Sequence, residues 1–574
     1  MRGVGRWLRY LFDRQEGATD QLIARWVFLR AMGAIYFSAF LALVFQIRGM
    51  VGVQGILPAG EYLEKVRTLG ALRLWYAPTG LRWGSGNHAL RALVFQIRGM
   101  VGAQGILPAG EYLEKVRTLG VLRFWYAPTV LWGDSGNHAL MALVWVGVVA
   151  SLLVVANVAP RISLAVCFVC FLSFIAVSQD FGQYQSDGML LEAGFLSLFV
   201  APGGLWPGWG RKSLAIQAAW FLLLWEWFRI YFESGMVKLL SGDPTWRNLT
   251  AMYEYYQNGP LPTWVGWYLQ HLPWWFHKAS AGATLGMELV LVWMAFLPRR
   301  WRIACFCIVT AWQVVVIATA NYAFLNYLVL VLAVLLLDDR ALRRFVPARW
   351  RFGVEDQQER AAVDAKPLTA LSRVGVAVAA VMLTWIAYAT TVEMVWMFWR
   401  EAPLPSSPVA ALEPLRIANQ YGLFAVMTPH RYEIEFQGSN DGKTWMPYLF
   451  RFKPQDVTER PGIYAPYQPR FDWNLWFASL TTWQSATVVP LTEVRLLEGD
   501  QDVLGLFRGD PFASAPPKFV RAVLWQYWFS TAEEKRTQGV WWTRKLLGTY
   551  APTIMRAPDG RFVELEAPTL EGTP

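Results

Sequence analysis

Long bands of apolar residues fill the first 400 positions of this chain, and short arginine-rich loops separate them. One band covers 303–337 and is broken only near 319–326. Another covers 371–399, where Arg373 and Glu393 are the only charges. About 20 apolar residues coiled as a helix cross the ~30 Å hydrocarbon layer of a bilayer with every backbone hydrogen bond closed inside the segment. The chain therefore reads as a multi-pass membrane protein. The bands predict about nine spans, roughly 22–46, 139–157, 162–178, 187–202, 214–240, 280–297, 301–319, 322–337 and 371–399. The fourth is short and contains Glu192.

Charged residues make up only 16% of the chain, against about 25% in soluble domains. The formal charge of +10 would suggest a nucleic-acid partner for a soluble protein. Here the arginines lie in loops between spans, so the expected partner is the lipid bilayer and not nucleic acid. The N-terminus is basic (Arg2, Arg6, Arg9, Arg14), and its first apolar run begins only near Ile23, which predicts a retained first span. The 32 tryptophans suit aromatic belts at the membrane faces.

Basic clusters fall on alternate loops: the N-terminal arm, Arg161, Arg211/Lys212, Arg299/Arg300/Arg302 and 340–351. Positive loops stay cytoplasmic. Nine spans then leave the C-terminal region outside the cytoplasm, in the periplasm or an organelle lumen.

The long loop after the first span hides a tandem duplication. Residues 41–90 recur at 91–140 with 42 of 50 positions identical. Two copies are too few for a solenoid, and the sequence reads as a doubled outer loop without a function of its own. Residues 401–408 (EAPLPSSP) form a linker. Beyond it, 409–574 reads as a mainly β domain. Tyr432, Ile434 and Phe436 alternate with polar residues, 438–442 (GSNDG) signals a turn, and 519–529 is a second strand-like run.

Several constellations bear on chemistry. Gly133-Asp134-Ser135-Gly136 spells a serine-protease nucleophile motif, but the first copy lacks the acid and no triad accompanies it. Cys167 and Cys170 have a redox spacing inside an apolar span, where a thiol acts as a small hydrophobe. In the fifth span, Glu226, Arg229 and Glu233 share one helix face, with Lys238 further round. Charges there are costly unless paired, so an intrahelical ladder is expected, either orienting helices or forming a substrate or proton site. Asp180, Asp187 and Glu192 cluster at the turn between the third and fourth spans. The five histidines show no metal spacing and no phosphate-cradling loop is visible, so no metal and no cofactor is expected.

The loop after the fifth span is specific. It reads SGMVKLLSGDPTWRN over 234–248 and then LTAM, with Asp243, Trp246, Arg247 and Asn248 as candidate functional residues. Asn248-Leu249-Thr250 is also a glycosylation sequon. This run resembles a characteristic segment of the lipase maturation factor family. Supporting likenesses are 54–58 (QGILP), Gln179-Asp180-Phe181 with 190–196 (LLEAGFL), 421–428 (YGLFAVMT), 438–445 and Pro469-Arg470 with Asp472-Trp473. The likeness covers nearly all the chain except the extra 50-residue copy. Tyr255 and Gln257 stand where the family pattern has a His and a Glu, and Tyr467 where a His commonly stands, so roles resting on those groups do not carry over.

The resemblance implies an endoplasmic-reticulum or bacterial inner-membrane protein that helps a secreted lipase or hydrolase client reach its active form, without catalysis of its own. The Trp-rich loop at 264–276 is the expected client surface. Two rivals stand beside it. One is an embedded enzyme or transporter using Glu226, Arg229, Glu233 and Lys238. The other is a surface- or carbohydrate-binding protein whose tail hairpin is discoidin-like.

Overall fold

The structure, a computed structural model, describes residues 10–12, 18, 20–62, 123–182, 184–347 and 370–570. Helices α1 (Leu22–Val44), α2 (Asn137–Val155), α3 (Pro160–Val177), α4 (Gln185–Val200) and α5 (Gln217–Leu240) pack in sequence, each against the next except that α5 also gathers later helices. They are followed by α6 (Trp264–Gln270), α7 (Trp274–Leu289), α8 (Arg299–Thr319), α9 (Leu325–Ala333) and α10 (Ala370–Phe398). Small residues permit the closest approaches, as expected where helices meet without a hydrophobic driving force. A Cβ on Gly147 of α2 would strike the Phe40 ring of α1, and one on Gly194 of α4 would strike the Tyr36 hydroxyl.

Among the described residues, six helices are long and apolar enough to cross a membrane: Leu22–Val44, Asn137–Val155, Pro160–Val177, Trp274–Phe296, Arg299–Thr319 and Arg373–Phe398. The other three expected spans form helices that miss this standard for different reasons. Helix α4 has only 16 residues, and Leu325–Leu336 is shorter still. Helix α5 has 24 residues, but Glu226, Arg229, Glu233 and Lys238 interrupt its apolar character. It lies at the centre of the bundle, against α4, α7, α9 and α10.

The described basic loops, at Arg161, Arg211/Lys212, Arg299–Arg302 and 340–347, meet at one end of the bundle; the arginines of the N-terminal arm and residues 348–351 lie outside the described residues. Asp339 accepts the Leu22 and Ile23 N–H groups at 3.0 and 2.8 Å, and Arg299 pairs with Asp338. Arg25 and Arg161 both reach Ser213. The opposite end carries the C-terminal domain.

That domain holds a six-stranded antiparallel sheet: β1 (Arg431–Ser439), β2 (Met446–Pro447), β3 (Phe519–Phe529), β4 (Trp542–Thr549), β5 (Thr553–Arg556) and β6 (Phe562–Glu566). The order is β2-β1-β3-β5-β6, with β4 also paired to β3. The expected hairpin forms, with Gln437 opposite Pro447, and Asp441 ties its turn by accepting the Lys443 and Thr444 N–H groups. Those bonds hold the Asp441 carboxyl well below the usual range. The domain is less purely β than its strand pattern suggests. Helices α11 (Arg470–Ser479), α12 (Val488–Glu498) and α13 (Ala532–Gln538) accompany the sheet. Val489, Thr492, Glu493, Leu496 and Leu497 are buried at helical spacing and seat α12 on β3.

Most of the duplicated region, residues 63–122, lies outside the described residues. The described flanks are informative. Residues 47–62 come from the first copy and 123–140 from the second, and they contact each other. Asn137 of the second copy accepts the Val53 N–H of the first at 2.9 Å. One complete unit is thus assembled from the start of one copy and the end of the other. Deleting residues 63–112 joins identical sequence at Leu113 and keeps every such contact. The shortened protein is expected to insert normally, with a melting temperature within about 4 °C of the full chain, roughly 1 kcal/mol in a domain of ordinary size. A larger loss in a thermal-shift assay would show that the second copy carries structural contacts.

Candidate functional site

The charged residues of α4 and α5 converge on a single strand of chain, residues 419–428, which enters the bundle just before β1. Arg229 is fully buried and pairs with Glu192 of α4; Glu233, one turn along α5, lies 3.9 Å away. The same guanidinium donates to the Asn419 carbonyl at 2.6 Å. Glu192 Oε2 accepts the Asn419 N–H at 3.0 Å and the Tyr421 hydroxyl at 2.9 Å. Glu233 accepts the Tyr421 N–H at 2.7 Å.

The pattern continues residue by residue. Gly422 donates to Gln185 at 3.1 Å and Leu423 to Ser234 Oγ at 3.2 Å. Lys238, buried, pairs with Glu288 of α7 at 2.8 Å and donates to the Leu423 carbonyl at 3.0 Å. Trp246 donates to the Phe424 carbonyl at 3.0 Å, Asp243 accepts the Met427 N–H at 2.7 Å, and Asn258 donates to the Thr428 carbonyl at 2.7 Å. Irregular backbone inside a bundle is tolerated only where protein satisfies its polar groups, and these side chains do so. Phe424 takes a left-handed φ of 57° within the segment.

Two further clamps flank it. Arg470 of α11 grips Asp187 through two parallel bonds of 2.6 and 2.8 Å and also donates to the Phe181 carbonyl. Such forked pairs fix orientation as well as energy. Beside it, Asp180 accepts Thr487 Oγ1 at 3.0 Å, and burial raises its pKa. Arg431, at the start of β1, donates to the carbonyls of Gln257, Gly259 and Pro260 while pairing with Glu433, which also holds Lys453 at 2.8 Å. The result is a continuous polar seam between bundle and C-terminal domain.

A family model described as the lipase maturation factor transmembrane domain matches residues 23–92 and 87–344, and one described as the lipase maturation factor C-terminal domain matches 417–552. The chain belongs to the lipase maturation factor family. It is 28% identical to lipase maturation factor 1 of Bos taurus, over 96% of this chain and 92% of that protein. It is 30% identical to lipase maturation factor 1 of Mus musculus (93% and 87%) and to lipase maturation factor 2 of Homo sapiens (93% and 82%). No solved structure matches it significantly. The transmembrane match falls in two pieces that overlap at 87–92, inside the duplicated region.

In this lipase maturation factor relative, the seam gathers Asp180, Asp187, Glu192, Glu226, Arg229, Glu233, Lys238, Asp243 and Trp246. Arg247 and Asn248 lie outside it. Both are exposed, and Arg247 donates to the Leu239 carbonyl. The expected intrahelical ladder forms in part. Its Arg229–Glu233 rung is present at 3.9 Å, but Arg229 also reaches across to Glu192 and Asn419, which offer it a charged and a neutral acceptor at once, while Glu226 accepts from the Tyr421 hydroxyl at 3.4 Å. Sequence reasoning missed the partners Asn419, Tyr421, Arg431 and Arg470 as site residues. Tyr421 and Arg470 stood inside motifs that resemble the family, but no local pattern pointed to their contacts.

The three departures from the family pattern are seam residues too. Gln257 accepts the Phe529 N–H at 3.0 Å, Tyr467 accepts from Gln46 at 3.0 Å, and Tyr255 lies against Phe424. The Trp-rich loop is divided between the seam and the surface. Trp267 is buried and donates to Ser530. With Tyr268 and Trp541 it forms three walls around the Lys535 ammonium, 3.4–4.5 Å from the ring centres. Trp274 and Trp275 remain 71% and 70% exposed.

Removing one partner of a buried ion pair costs about 3–5 kcal/mol because the other charge is stranded. R229Q should therefore lower the melting temperature sharply and speed proteolytic release of the C-terminal domain. R229Q combined with E192Q should lose less than the sum of the single changes. Additive losses would show that the two residues act separately.

A second prediction concerns pH. Burial pushes the Asp472 carboxyl up to about 6, opposed by Lys453 and backbone N–H groups. The folded state then binds a proton more tightly than the unfolded chain, so this group's contribution to stability falls as pH rises from about 4 to about 6. D472N should remove that slope in melting experiments. An unchanged slope would assign it to other carboxyls.

Proposed function

We propose that this chain is a membrane-bound maturation factor that assists secreted lipases or related hydrolases in reaching their active fold, and is not itself an enzyme. The observation that carries this reading is the family match through both the transmembrane and C-terminal parts, with relatives named for lipase maturation aligned over more than nine-tenths of the chain. The seam gives that role a mechanical basis. In this reading Asp187, Glu192, Arg229, Glu233 and Lys238 hold the C-terminal domain in a fixed pose on the bundle, so that a client meets one composite surface. The exposed Trp274 and Trp275, with half-exposed Tyr268 beside them, supply the aromatic contact area on the same side.

The finer topology belongs to the same proposal. Nine spans result when α4, α5 and the Leu325–Leu336 helix are counted with the six apolar ones. The gathering of basic loops at the end opposite the C-terminal domain supports a cytoplasmic basic face and a lumenal or periplasmic domain. An endoplasmic-reticulum or bacterial inner membrane suits that arrangement. The rival reading as an embedded enzyme or transporter needs the α5 charges to face a substrate path, whereas Glu192, Arg229, Glu233 and Lys238 are engaged by residues 419–423. The carbohydrate-module reading needs an open aromatic platform on the hairpin, whereas Arg521 covers the Trp445 ring at 4.0 Å.

Crosslinking in native membranes tests the function. A maturation factor should trap newly made secreted hydrolases, and W274A/W275A should reduce the yield severalfold. Capture restricted to unrelated membrane proteins would overturn the reading. Topology is tested separately with S514C, placed on the exposed surface of the C-terminal domain. An impermeant thiol reagent should label it only from the non-cytoplasmic side, and labelling only from the cytosol would reverse the proposed orientation.

A further inference from the structure

A small cavity opens on the surface of the C-terminal domain. It lies between the C-terminal end of α12, the short helix Gln501–Leu504 and the loop 510–517, with Tyr448 among its walls. Its volume is about 110 Å³, well below the roughly 300–1,000 Å³ of sites for cofactors and other small ligands. The space suits one side chain. Ala513, Ser514 and Pro516 on its rim are exposed, so it can be entered from solvent. Gly499 ends α12 at a left-handed φ of 69°, and a Cβ there would lie 2.6 Å from Pro516, so the rim is closely packed.

The walls are apolar and fixed. Leu496 and Leu504 are buried, and the Tyr448 ring packs on Phe512 and Phe507 at 5.9 and 5.6 Å. The Tyr448 backbone is held on both sides. Its N–H donates to the Phe436 carbonyl at 2.9 Å, and its carbonyl accepts from Gln455 at 3.3 Å. Only 1% of Tyr448 is exposed, yet its hydroxyl has no hydrogen-bond partner among the described residues. A buried phenol normally finds one. Burial and then the Asp510 charge raise its pKa, so the phenol stays neutral and its oxygen is free to accept.

Asp510 lines the same cavity. One of its carboxylate oxygens accepts the Phe512 N–H at 2.8 Å and so shapes the loop; the other has no partner among the described residues. The arginines nearby in sequence are committed, Arg495 to Glu498 and Arg508 to Glu459, both at 2.9 Å. Among the described residues, no cation forms an ion pair with Asp510. The C-terminal end of α12 adds the negative pole of its dipole. An apolar hollow with an unmatched carboxylate and an unmatched phenol oxygen calls for a cation on an apolar stem.

We propose that this cavity receives a lysine side chain from the surface of the client, with the methylene stem against Leu496, Leu504 and Phe512 and the ammonium between Asp510 and the Tyr448 hydroxyl. Lysine fits because its stem is apolar and its head is a compact cation. Arginine fits less well. Its planar fork calls for two carboxylate oxygens at once, and the Phe512 N–H already holds one of those of Asp510. The inference rests on the maturation reading and deepens it: the client would carry one basic anchor for the C-terminal domain in addition to the aromatic contact at Trp274 and Trp275.

The test uses the full chain, purified in detergent, with S514C on the rim. The rate at which N-ethylmaleimide labels that thiol, read at its own peptide by mass spectrometry, is measured with and without Nα-acetyl-lysine methylamide at millimolar concentration. The lysine amide should slow labelling severalfold. The norleucine amide, which has the stem without the charge, and the arginine amide should slow it much less. D510N keeps an oxygen for the Phe512 N–H but loses the charge, and should remove the protection. Y448F should weaken it severalfold, the loss expected for one hydrogen bond. D559N, on the terminal hairpin, should change nothing. Unchanged protection in D510N, or equal protection by the norleucine amide, would overturn the proposal. The client is tested in native membranes with a photoreactive residue in place of Ser514 or of Trp274. Position 514 should capture newly made secreted hydrolases through lysine-containing peptides, with a severalfold lower yield in D510N. Capture from position 274 alone would overturn this inference and leave the maturation reading standing; capture from neither would remove both.

Discussion

A guanidinium enclosed by helices must find both a counter-charge and acceptors for its donors, or the fold around it fails. Arg229 finds its counter-charges in Glu192 from the neighbouring helix and Glu233 from its own, and an acceptor for Nη1 in the Asn419 carbonyl, 190 residues later. The last partner makes the arrangement consequential. Because residues 419–423 complete the coordination of Arg229, Glu192 and Glu233, the bundle interior is unsatisfied until the C-terminal region has arrived. The two parts of the chain are therefore coupled in energy and not merely tethered by the linker that precedes the segment.

That coupling explains why the seam contains so many different polar side chains. Arg470 on Asp187, Arg431 on the 257–260 carbonyls and Asn321 between Leu261 and Tyr464 each satisfy groups on both sides at once. A purely apolar interface would hold two bodies together with freedom to slide. Directional bonds allow one register. For a protein whose proposed task is to present a composite surface to a folding client, a fixed register matters more than binding strength.

The sequence carried the bundle and the domain order clearly, because long apolar runs and strand alternation are local signals. It also marked Asp187, Glu192, Arg229, Glu233 and Lys238, since a charge within an apolar band is conspicuous. What it could not carry was their partners. Asn419 has no distinguishing local pattern, and the motifs that hold Tyr421 and Arg470 say nothing of their contacts until α11 places Arg470 against Asp187. The ladder expected along α5 follows from helical spacing alone, which describes neighbours on one helix and is silent about the acceptor waiting on the next. The helices of the C-terminal domain were hidden for a related reason: in α12, Thr492 and the buried Glu493 interrupt the apolar pattern that marks a helix face.

The two ends of the bundle meet the same electrostatic problem in opposite ways. At the seam end, buried cations are matched by carboxylates and carbonyls from distant parts of the chain, so the charge is neutralised within the protein and rigidity results. At the basic end, Arg25 and Arg161 donate to backbone carbonyls and to Ser213, and among the described residues no carboxylate bonds to either directly. A net positive rim of this kind obeys the orientation rule for membrane loops. Neutralisation within the protein on one side and a basic rim on the other give the bundle a polarity. The C-terminal domain is fixed where the charges cancel.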